Sequence, residues 1–555
     1  MKRVLIFLIF STSAALAQSS YAPLNEDYYH WIDRYEIRSG EINPYFFSSW
    51  KAYSRKDIAT FSDSIQNNDT SLSGVDKFNL NYLSNDNWEW SEISNESSKP
   101  ILKHFYKSKS DLYHVNEPDF DLHINPVLFL GAGQESSSDV KTFVNTRGVE
   151  IRGMIDKKVG FYSFIGENQF IGPEYVRNYI STNLVVPHEG FWKGFKDDGV
   201  DFFTARGYIN FNATKHIELQ FGHDRFNVGN GYRSLILSDF ATASLFLRMN
   251  TKVWKLNYTN LFTQMTANVR GNSGGLTAAD GYPNKYMAFH HLGLNIGKKL
   301  NVGIFESVIY SKPDSVGNNP ELKYLNPIIF YRAIEQQNGS SDNVLLGLDF
   351  KWLAAKRISL YGQLVLDEFL LENVKEGNGW WANKFAFQLG GEYIDAFGIR
   401  NLDLQAEANI ARPYIYSHSS QYGEYSHYRQ PLAHPLGANF KEWVGIVRYQ
   451  PVKKLYLTGK LIAANYGADR PDENWGGNIL LDNRTREQEY GNEIGQGVST
   501  DLLMANFTAS YQLKHNIFLD ATLIHRQVTS DLLEEDTNFT SFSLRWNIPQ
   551  RLNEF

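Results

Sequence analysis

The sequence predicts an all-β fold: a transmembrane up-and-down antiparallel β-barrel of about 18 strands, preceded by a small α-helical region. Three observations support this prediction. Apolar and polar residues alternate with a period of two from residue 119 onward. The connections between the alternating segments are short and long in turn. The 555-residue chain is also rich in aromatic residues (15%) and glycine (42) and poor in proline (17), a composition that suits many strands.

The first 17 residues, MKRVLIFLIFSTSAALA, have the pattern of a secretory signal peptide. Lys2 and Arg3 are basic, residues 4–10 form an apolar core, and residues 15–17 (Ala-Leu-Ala) form a cleavage site of small residues. The apolar core is too short to span a bilayer, so we expect cleavage and export rather than a membrane helix. The chain has no cysteine, which excludes disulfide bonds, thiolate metal sites and a lipid anchor on cysteine.

Residues 18–118 are predicted to form an N-terminal helical region on the periplasmic side. Apolar residues recur there at helical spacing, at Leu24, Tyr28, Trp31, Ile32 and Tyr35. Gly40 follows this series as a helix end. Residues 57–65 and 75–83 are predicted as two further short helices, with clusters of Asn, Ser and Asp between them.

Residues 119–555 are predicted to form the barrel. In a representative segment, residues 402–410, apolar Leu, Leu, Ala, Ala and Ile alternate with polar Asp, Gln, Glu and Asn, so that one face suits hydrocarbon and the other water. The predicted strands are 119–133, 141–155, 158–170, 200–212, 214–223, 242–249, 252–262, 286–297, 299–310, 342–353, 356–369, 381–396, 401–411, 439–450, 453–465, 500–513, 516–529 and 538–549.

The connections alternate in length as those of an outer-membrane barrel do. Short, mostly basic turns such as 156–158, 297–299 and 514–516 are followed by long loops, among them 171–199, 224–241, 263–285, 311–341, 412–438 and 466–499. Short periplasmic turns and long extracellular loops are typical of such barrels. Phe555, at the end of the sequence, is interpreted as the aromatic residue that often follows their last strand. The alternative is a soluble propeller or sandwich, but no repeat of propeller length is present.

Motifs for catalysis or cofactor binding are missing from the sequence. There is no Gly-x-Ser-x-Gly elbow, no His-Glu-x-x-His zinc helix and no glycine-rich phosphate loop. His290 and His291 are adjacent on a predicted strand and therefore face opposite sides. The net charge of -7 gives no reason to expect nucleic-acid binding. We expect a protein that is not an enzyme, without cofactor or metal.

Candidate ligand-binding residues are concentrated in three long loops, where aromatic faces and hydrogen-bonding groups suit sugar rings. The same composition suits a folded loop that caps a barrel, and this structural interpretation is favoured. The candidates are Asp224, Arg225, Asn227 and Arg233 in the first loop, Tyr331, Arg332 and Glu335 in the second, and Tyr425, His427, Tyr428, Arg429 and His434 in the third. The second loop is also compatible with a helix folded into the lumen.

Four segments carry a family resemblance: YYHWIDR (28–34), FGHDRFNVGNGYRSLILSD (221–239), NPIIFYRAIEQQNGSSDN (326–343) and QPLAHPLGANFKEW (430–443). In these words the chain resembles the RemB-type gliding motility proteins, which are in turn similar to the capsule-assembly Wzi outer-membrane family. The resemblance implies an outer-membrane barrel with a helical bundle at its periplasmic mouth. It also implies a lectin-like role in attaching surface polysaccharide.

The expected function is therefore a non-enzymatic outer-membrane protein that binds or organises cell-surface polysaccharide and supports gliding or adhesion. Its expected partners are outer-membrane lipid, surface polysaccharide and motility or adhesin machinery. One alternative is a porin for small solutes, since a barrel of this size is wide enough for a channel unless it is filled. Another is an envelope hydrolase, for which His223 with Asp224, or Glu424 with His427, could be nominated.

Overall fold

The computed structural model describes residues 18–93, 96–97, 99–268, 283–311, 321–330 and 342–555. Within these ranges 18 long antiparallel strands form a closed barrel, as predicted. The strands are β1 (Phe120–Glu135), β2 (Thr142–Ile155), β3 (Val159–Ile171), β4 (Gly199–Asn212), β5 (Ile217–Asp224), β6 (Ser244–Val253), β7 (Leu256–Thr266), β8 (Asn284–Ile296), β9 (Leu300–Tyr310), β10 (Asn343–Ala355), β11 (Ile358–Leu366), β12 (Phe385–Tyr393), β13 (Leu402–Ala411), β14 (Phe440–Val452), β15 (Leu455–Ala468), β16 (Val498–Lys514), β17 (Ile517–Ser530) and β18 (Glu534–Trp546). Pairing of β18 with β1, for example Leu544 with Leu130, closes the barrel.

The alternation in the sequence separates the two faces of the wall. On β13, Asp403, Gln405, Glu407 and Asn409 are buried in the lumen. On the outside, large apolar side chains are exposed, such as Trp443 of β14 (65%). An apolar outer band and a polar interior are what a bilayer requires of a barrel. No helix in the described ranges is long and apolar enough to cross a membrane.

Three helices fill one end of the barrel, where the short turns lie (the turn end). They are α1 (Glu26–Ser39), α2 (Arg55–Asn68) and α3 (Gly74–Asp86), close to the predicted positions. Gly40 ends α1 in the left-handed region (φ 72°), where glycine is favoured. Trp31 of α1 packs on Tyr456 of β15, with ring centroids 5.6 Å apart. We call α1–α3, with the segments that join them, the turn-end plug. Residues 1–17, the predicted signal peptide, lie outside the described residues.

At the opposite end, the loop end, residues 225–243 and 412–439 fold into the lumen and pack on each other. The Tyr416 hydroxyl donates to the carbonyl of Leu235 (2.6 Å), and the Tyr425 hydroxyl donates to that of Ile236 (2.8 Å). All four residues are almost fully buried. We call these two segments the loop-end plug. Two short helices, α4 (Glu174–Asn183) and α5 (Leu371–Glu376), and 3-10 turns at Leu322–Leu325 and Asn483–Thr485 lie in other loops at this end, and a further 3-10 turn, Ala396–Gly398, lies at the turn end.

The two plugs meet inside the barrel. Trp50, which follows α1, pairs with Val228 of the loop-end plug in a two-residue antiparallel bridge. Both side chains belong to the main hydrophobic cluster of the lumen. The segment between α1 and α2 and the loop-end plug are therefore joined inside the barrel.

The last residues of the sequence also lie in the lumen, which corrects the interpretation of Phe555. Eight residues separate Phe555 from the end of β18, and its ring packs on Tyr179 of α4 with centroids 4.7 Å apart. The neighbouring Glu554 carboxylate accepts hydrogen bonds from Lys460 (3.1 Å) and Asn506 (2.9 Å) of the wall. Phe555 is thus not an interface residue at a strand end.

Candidate functional site

A central cavity of about 210 Å³ lies between the two plugs. Its wall combines arginines with carboxylates from both plugs, the barrel and the final segment of the chain. Arg206 of β4, Arg225 and Arg551 lie in the wall, together with Glu189 and Asp239. The cavity is polar and cationic in part, so that it suits a hydrophilic ligand rather than an apolar one.

A second cavity of about 270 Å³, the side cavity, adjoins it near the loop end. Three aromatic side chains contribute to its lining: Phe191, Phe203 and Tyr428. The polar lining is shared with the central cavity, through His188, Glu189, Thr204, Arg206 and Arg225. The two cavities therefore share a wall of polar and cationic groups.

Tyr428 reaches the side cavity from the tip of a tight hairpin. Ser426–His427 pairs with Gln430–Pro431, so Tyr428 and Arg429 form the two-residue turn. Both have positive φ (48° and 59°), as a type I′ hairpin turn requires, although Asn and Gly are the usual residues of this turn. The ring of Tyr428 meets that of Phe191 edge to face at 5.0 Å.

The hairpin is fixed to the neighbouring loop by Gln430. Its amide donates to the carbonyl of Glu189 (2.8 Å), and its amide oxygen accepts from the backbone N–H of His188 (3.0 Å). These bonds set the position of Tyr428 relative to the polar residues of the side cavity.

Arg206 and Arg225 are the cationic groups between the two cavities. The Arg206 guanidinium stacks on the Phe164 ring, 4.7 Å from its centroid. Arg225 donates from Nη1 to the backbone carbonyl of Asp239 (3.1 Å). Burial lowers the pKa of Arg225, and the nearby charge of Arg206 lowers it further. The Nε atoms of both arginines are buried without a hydrogen-bond partner among the described residues.

Of the predicted site residues, Arg225 and Tyr428 come together in the side cavity, and Arg429 is partly exposed beside Tyr428. Asp224 ends β5 and accepts a hydrogen bond from the backbone N–H of Arg225 (2.9 Å). Tyr331, Arg332 and Glu335 lie outside the described residues.

The other predicted residues hold the loop-end plug together. Glu442 of β14 accepts from Arg233 (3.1 Å) and contacts His434 Nε2 (2.7 Å). Asn227 lies in the bridge between the two plugs, opposite Lys51. Tyr425 and His427 are buried and hydrogen-bonded within the plug. Among these side chains Asn227 and Arg233 also line the central cavity, whereas Tyr425, His427 and His434 line neither cavity.

The pairs nominated for hydrolysis are not joined in the described structure. His223 is exposed on the outside of β5 and its Nδ1 donates to the carbonyl of Ala205 (3.0 Å), whereas Asp224 is the next residue and faces the other way. His427 uses both ring nitrogens on backbone groups of Thr266 and Ala243 rather than on Glu424. Among the described residues, no three His, Asp or Glu side chains are grouped as metal ligands are.

Sequence reasoning missed Arg206, His188 and Phe191. Arg206 is one of the polar residues on the lumen face of β4, and strand alternation could have identified it as an inward-pointing charge. His188 and Phe191 lie in a long loop without periodicity, so no sequence signal places them beside Tyr428.

No protein-family model and no curated protein match the chain. Solved structures do match it. Wzi of Escherichia coli, an outer-membrane protein involved in group 1 capsule assembly and a carbohydrate-binding β-barrel, is 14% identical, covers 95% of this chain and 99% of its own, and has a TM-score of 0.57. OprD and OccK8 of Pseudomonas aeruginosa each cover 77% of this chain and 94% and 98% of their own, with identities of 11% and 9% and TM-scores of 0.42. The likeness to Wzi confirms the family resemblance at the level of the fold. The resemblance to gliding motility proteins stays a prediction.

Proposed function

We propose that the protein is a non-enzymatic outer-membrane barrel that binds cell-surface polysaccharide in its side cavity. In this proposal residues 1–17 direct export, the turn end faces the periplasm and the loop end faces the cell exterior. The apolar outer wall and the fold shared with Wzi, itself a carbohydrate-binding barrel, support this proposal.

The observation that carries the proposal is the lining of the side cavity. Tyr428 and Phe191 offer aromatic faces to the C–H faces of a sugar ring, and His188, Glu189 and Arg225 offer donors and acceptors to its hydroxyls. The hairpin and its Gln430 bonds hold this arrangement in place before a ligand arrives. Preorganisation of this kind lowers the entropic cost of binding.

The packed lumen supports binding rather than passage of solutes. The turn-end plug and the loop-end plug are in contact through Trp50 and Val228. A porin needs a continuous water-filled path, and these plugs interrupt it in the described part of the chain.

Polysaccharide held at the surface would support adhesion or gliding, with motility or adhesin machinery as partner. A deletion strain that attaches and spreads normally would contradict this cellular role.

The binding proposal is tested with the full chain purified in detergent and the native exopolysaccharide. We expect Tyr428→Ala to weaken binding about tenfold through loss of ring stacking. Tyr490→Ala is the matched control, because Tyr490 is an exposed tyrosine of another loop, outside the side cavity. Absence of binding by the intact protein, or equal loss in both variants, would show that the proposed site is wrong.

A further inference from the structure

The barrel wall has a gap beside β4. On one side β4 pairs with β3 along almost its whole length. On the other side it pairs with β5 only from Gly207 to Asn212, and with the short strand Lys193–Phe195 only from Gly199 to Asp201. Residues 202–206 therefore have no strand partner on that side in the described structure. We call this gap the portal.

The side cavity passes through the portal. Phe203 and Ala205 point outward from β4, and Thr204 and Arg206 point into the lumen, yet all four line this cavity. Because successive side chains of a strand face opposite sides, a cavity lined by both sets crosses the edge of the strand. The imidazole of His223 caps the Ala205 carbonyl there, where a neighbouring strand would otherwise donate.

The portal lies at the edge of the apolar outer band that is nearer the loop end. Phe203 is in register with Glu167 of β3, and Glu167 is in register with Arg147 of β2. Glu167 and Arg147 form an exposed ion pair on the outside of the wall. Two residues further toward the turn end, Ala205 is in register with the exposed Ile165. The level of the portal is therefore where hydrocarbon gives way to headgroups.

Cationic groups lie directly inside the portal. Arg206 and Arg225 make no ion pair within 4.0 Å among the described residues, and their Nε atoms are unpartnered. The carboxylates of Glu189, Asp224 and Asp239 act on them electrostatically from longer distances. Arg551 approaches from the final segment, with Nη1 4.0 Å from the Glu189 carboxylate. Guanidinium groups without a close carboxylate keep N–H donors unused, and an anionic ligand would satisfy these donors with strong charge-assisted hydrogen bonds.

We propose that the portal admits the acidic sugar headgroup of an outer-leaflet glycolipid, whose phosphate or carboxylate binds Arg206 and Arg225. The sugar occupies the side cavity, and the acyl chains stay outside against Phe203 and its apolar neighbours. The saccharide part rests on the proposed function, and the new element is that the ligand arrives sideways from the membrane. The loop-end plug, which lies over the central cavity, favours this lateral path over an axial one.

The test uses the full chain in detergent and native mass spectrometry of bound lipid. Three probes are compared: a diphosphorylated, acylated glucosamine disaccharide, the same sugar phosphate without its acyl chains, and neutral digalactosyl diacylglycerol. We expect retention of the acylated phosphosugar and about tenfold weaker binding in the Arg206→Gln/Arg225→Gln variant. Arg147→Gln is the control, since Arg147 is an exposed arginine on the outer wall that does not line the side cavity.

Each outcome has a separate meaning. Equal binding of the sugar phosphate without acyl chains overturns the lateral lipid route and leaves the polysaccharide proposal intact. Equal binding of the neutral lipid, or insensitivity to the two arginines, overturns the role assigned to the charges. Lipid binding that persists while the exopolysaccharide does not bind contradicts the proposed function alone. Because Arg206 also stacks on Phe164, Arg225→Gln by itself is measured as a variant that leaves this contact in place.

Discussion

At the scale of single residues, His427 shows how the loop-end plug depends on a neutral side chain. Its Nδ1 accepts a hydrogen bond from the backbone N–H of Thr266 (3.0 Å), so Nε2 carries the proton and donates to the carbonyl of Ala243 (3.1 Å). Burial lowers the pKa of His427 to about 3. A second proton would have to sit on Nδ1, where it would displace the Thr266 bond and leave a buried charge.

The lowered pKa makes the plug sensitive to acid. An unfolded histidine has a pKa of about 6.5, so the folded plug loses stability as the pH falls below about 6.5, until the pH reaches the folded pKa. We expect His427 to contribute a loss of about 1.4 kcal/mol per pH unit in this window. His427→Gln should flatten the slope in thermal melts followed by near-UV circular dichroism, whereas the same change at the exposed His216 should not. Parallel slopes for the two variants would contradict this assignment.

Sequence reasoning at this scale named Arg225 and Tyr428, which line the side cavity, but could not separate them from residues that only hold the plug together. Tyr425, His427 and His434 have the same chemistry as a sugar-binding residue, and their role depends on burial. Burial depends on how two loops almost 190 residues apart pack together, as in the Tyr425–Ile236 bond. No local pattern records such a contact.

At the scale of elements, strand positions were predictable because apolar and polar residues alternate with a period of two, which indicates the side chains that face outward and those that face the lumen. Each of the 18 predicted segments overlaps the strand of the same rank, and only the segment 252–262 also includes residues of its neighbour, the last two of β6. The turn between β6 and β7 was misplaced: Asn250–Thr251 looks like a turn, but these residues pair within the strands, and the chain reverses at Trp254–Lys255. Trp254 has a positive φ there (55°), a conformation that bulky residues rarely adopt, so the sequence does not predict a turn at this position.

One of the buried contacts that dock α1 on the wall is made by a lysine, beside those of Arg34 and His30 with Asp403. Lys351 of β10 lies 2.8 Å from the Asp33 carboxylate and 2.6 Å from the Glu36 carboxylate, and all three are buried. Lys351→Met keeps the volume but leaves two carboxylates without this cation, so we expect the turn-end plug to be destabilised by about 3–5 kcal/mol. Limited proteolysis within residues 18–93 measures this loss.

Lys298→Met is the matched control at the same end of the barrel. Lys298 is 75% exposed and pairs with Glu41, which is also exposed, so its replacement should change stability by less than about 1 kcal/mol. Equal protease sensitivity in the two variants would show that Lys351 does not hold α1 in the barrel.

At the scale of the whole molecule, the decisive feature is that a barrel wide enough for a channel is filled from both ends. The sequence predicted the wall, the helices and a folded loop that caps the barrel, but not which loops pack against each other in the lumen. Apolar residues in a loop, such as Leu235 and Ile236, can face a core, a partner or a lipid surface. Their long-range contacts with Tyr416 and Tyr425 show that they pack inside.

Conductance in planar bilayers tests this filled interior. We expect the intact protein to give no steady current. Deleting residues 20–93 removes the turn-end plug, and replacing residues 226–241 by a short Gly-Ser linker removes most of the first segment of the loop-end plug, including Val228. The linker closes easily, because Asp224 and Ser244 are already paired across β5 and β6. Since either plug alone interrupts the path, we expect each single variant to stay silent and the double variant to conduct.

The folded state of each variant is checked by the heat-dependent shift of the barrel in gel electrophoresis, so that silence from misfolding is recognised. A steady large current from the intact protein would favour the porin alternative over a binding protein. Current from the turn-end deletion alone would mean that the loop-end plug opens without assistance. Either result would show that the two plugs, which meet at the Trp50–Val228 bridge, do not each block the barrel independently.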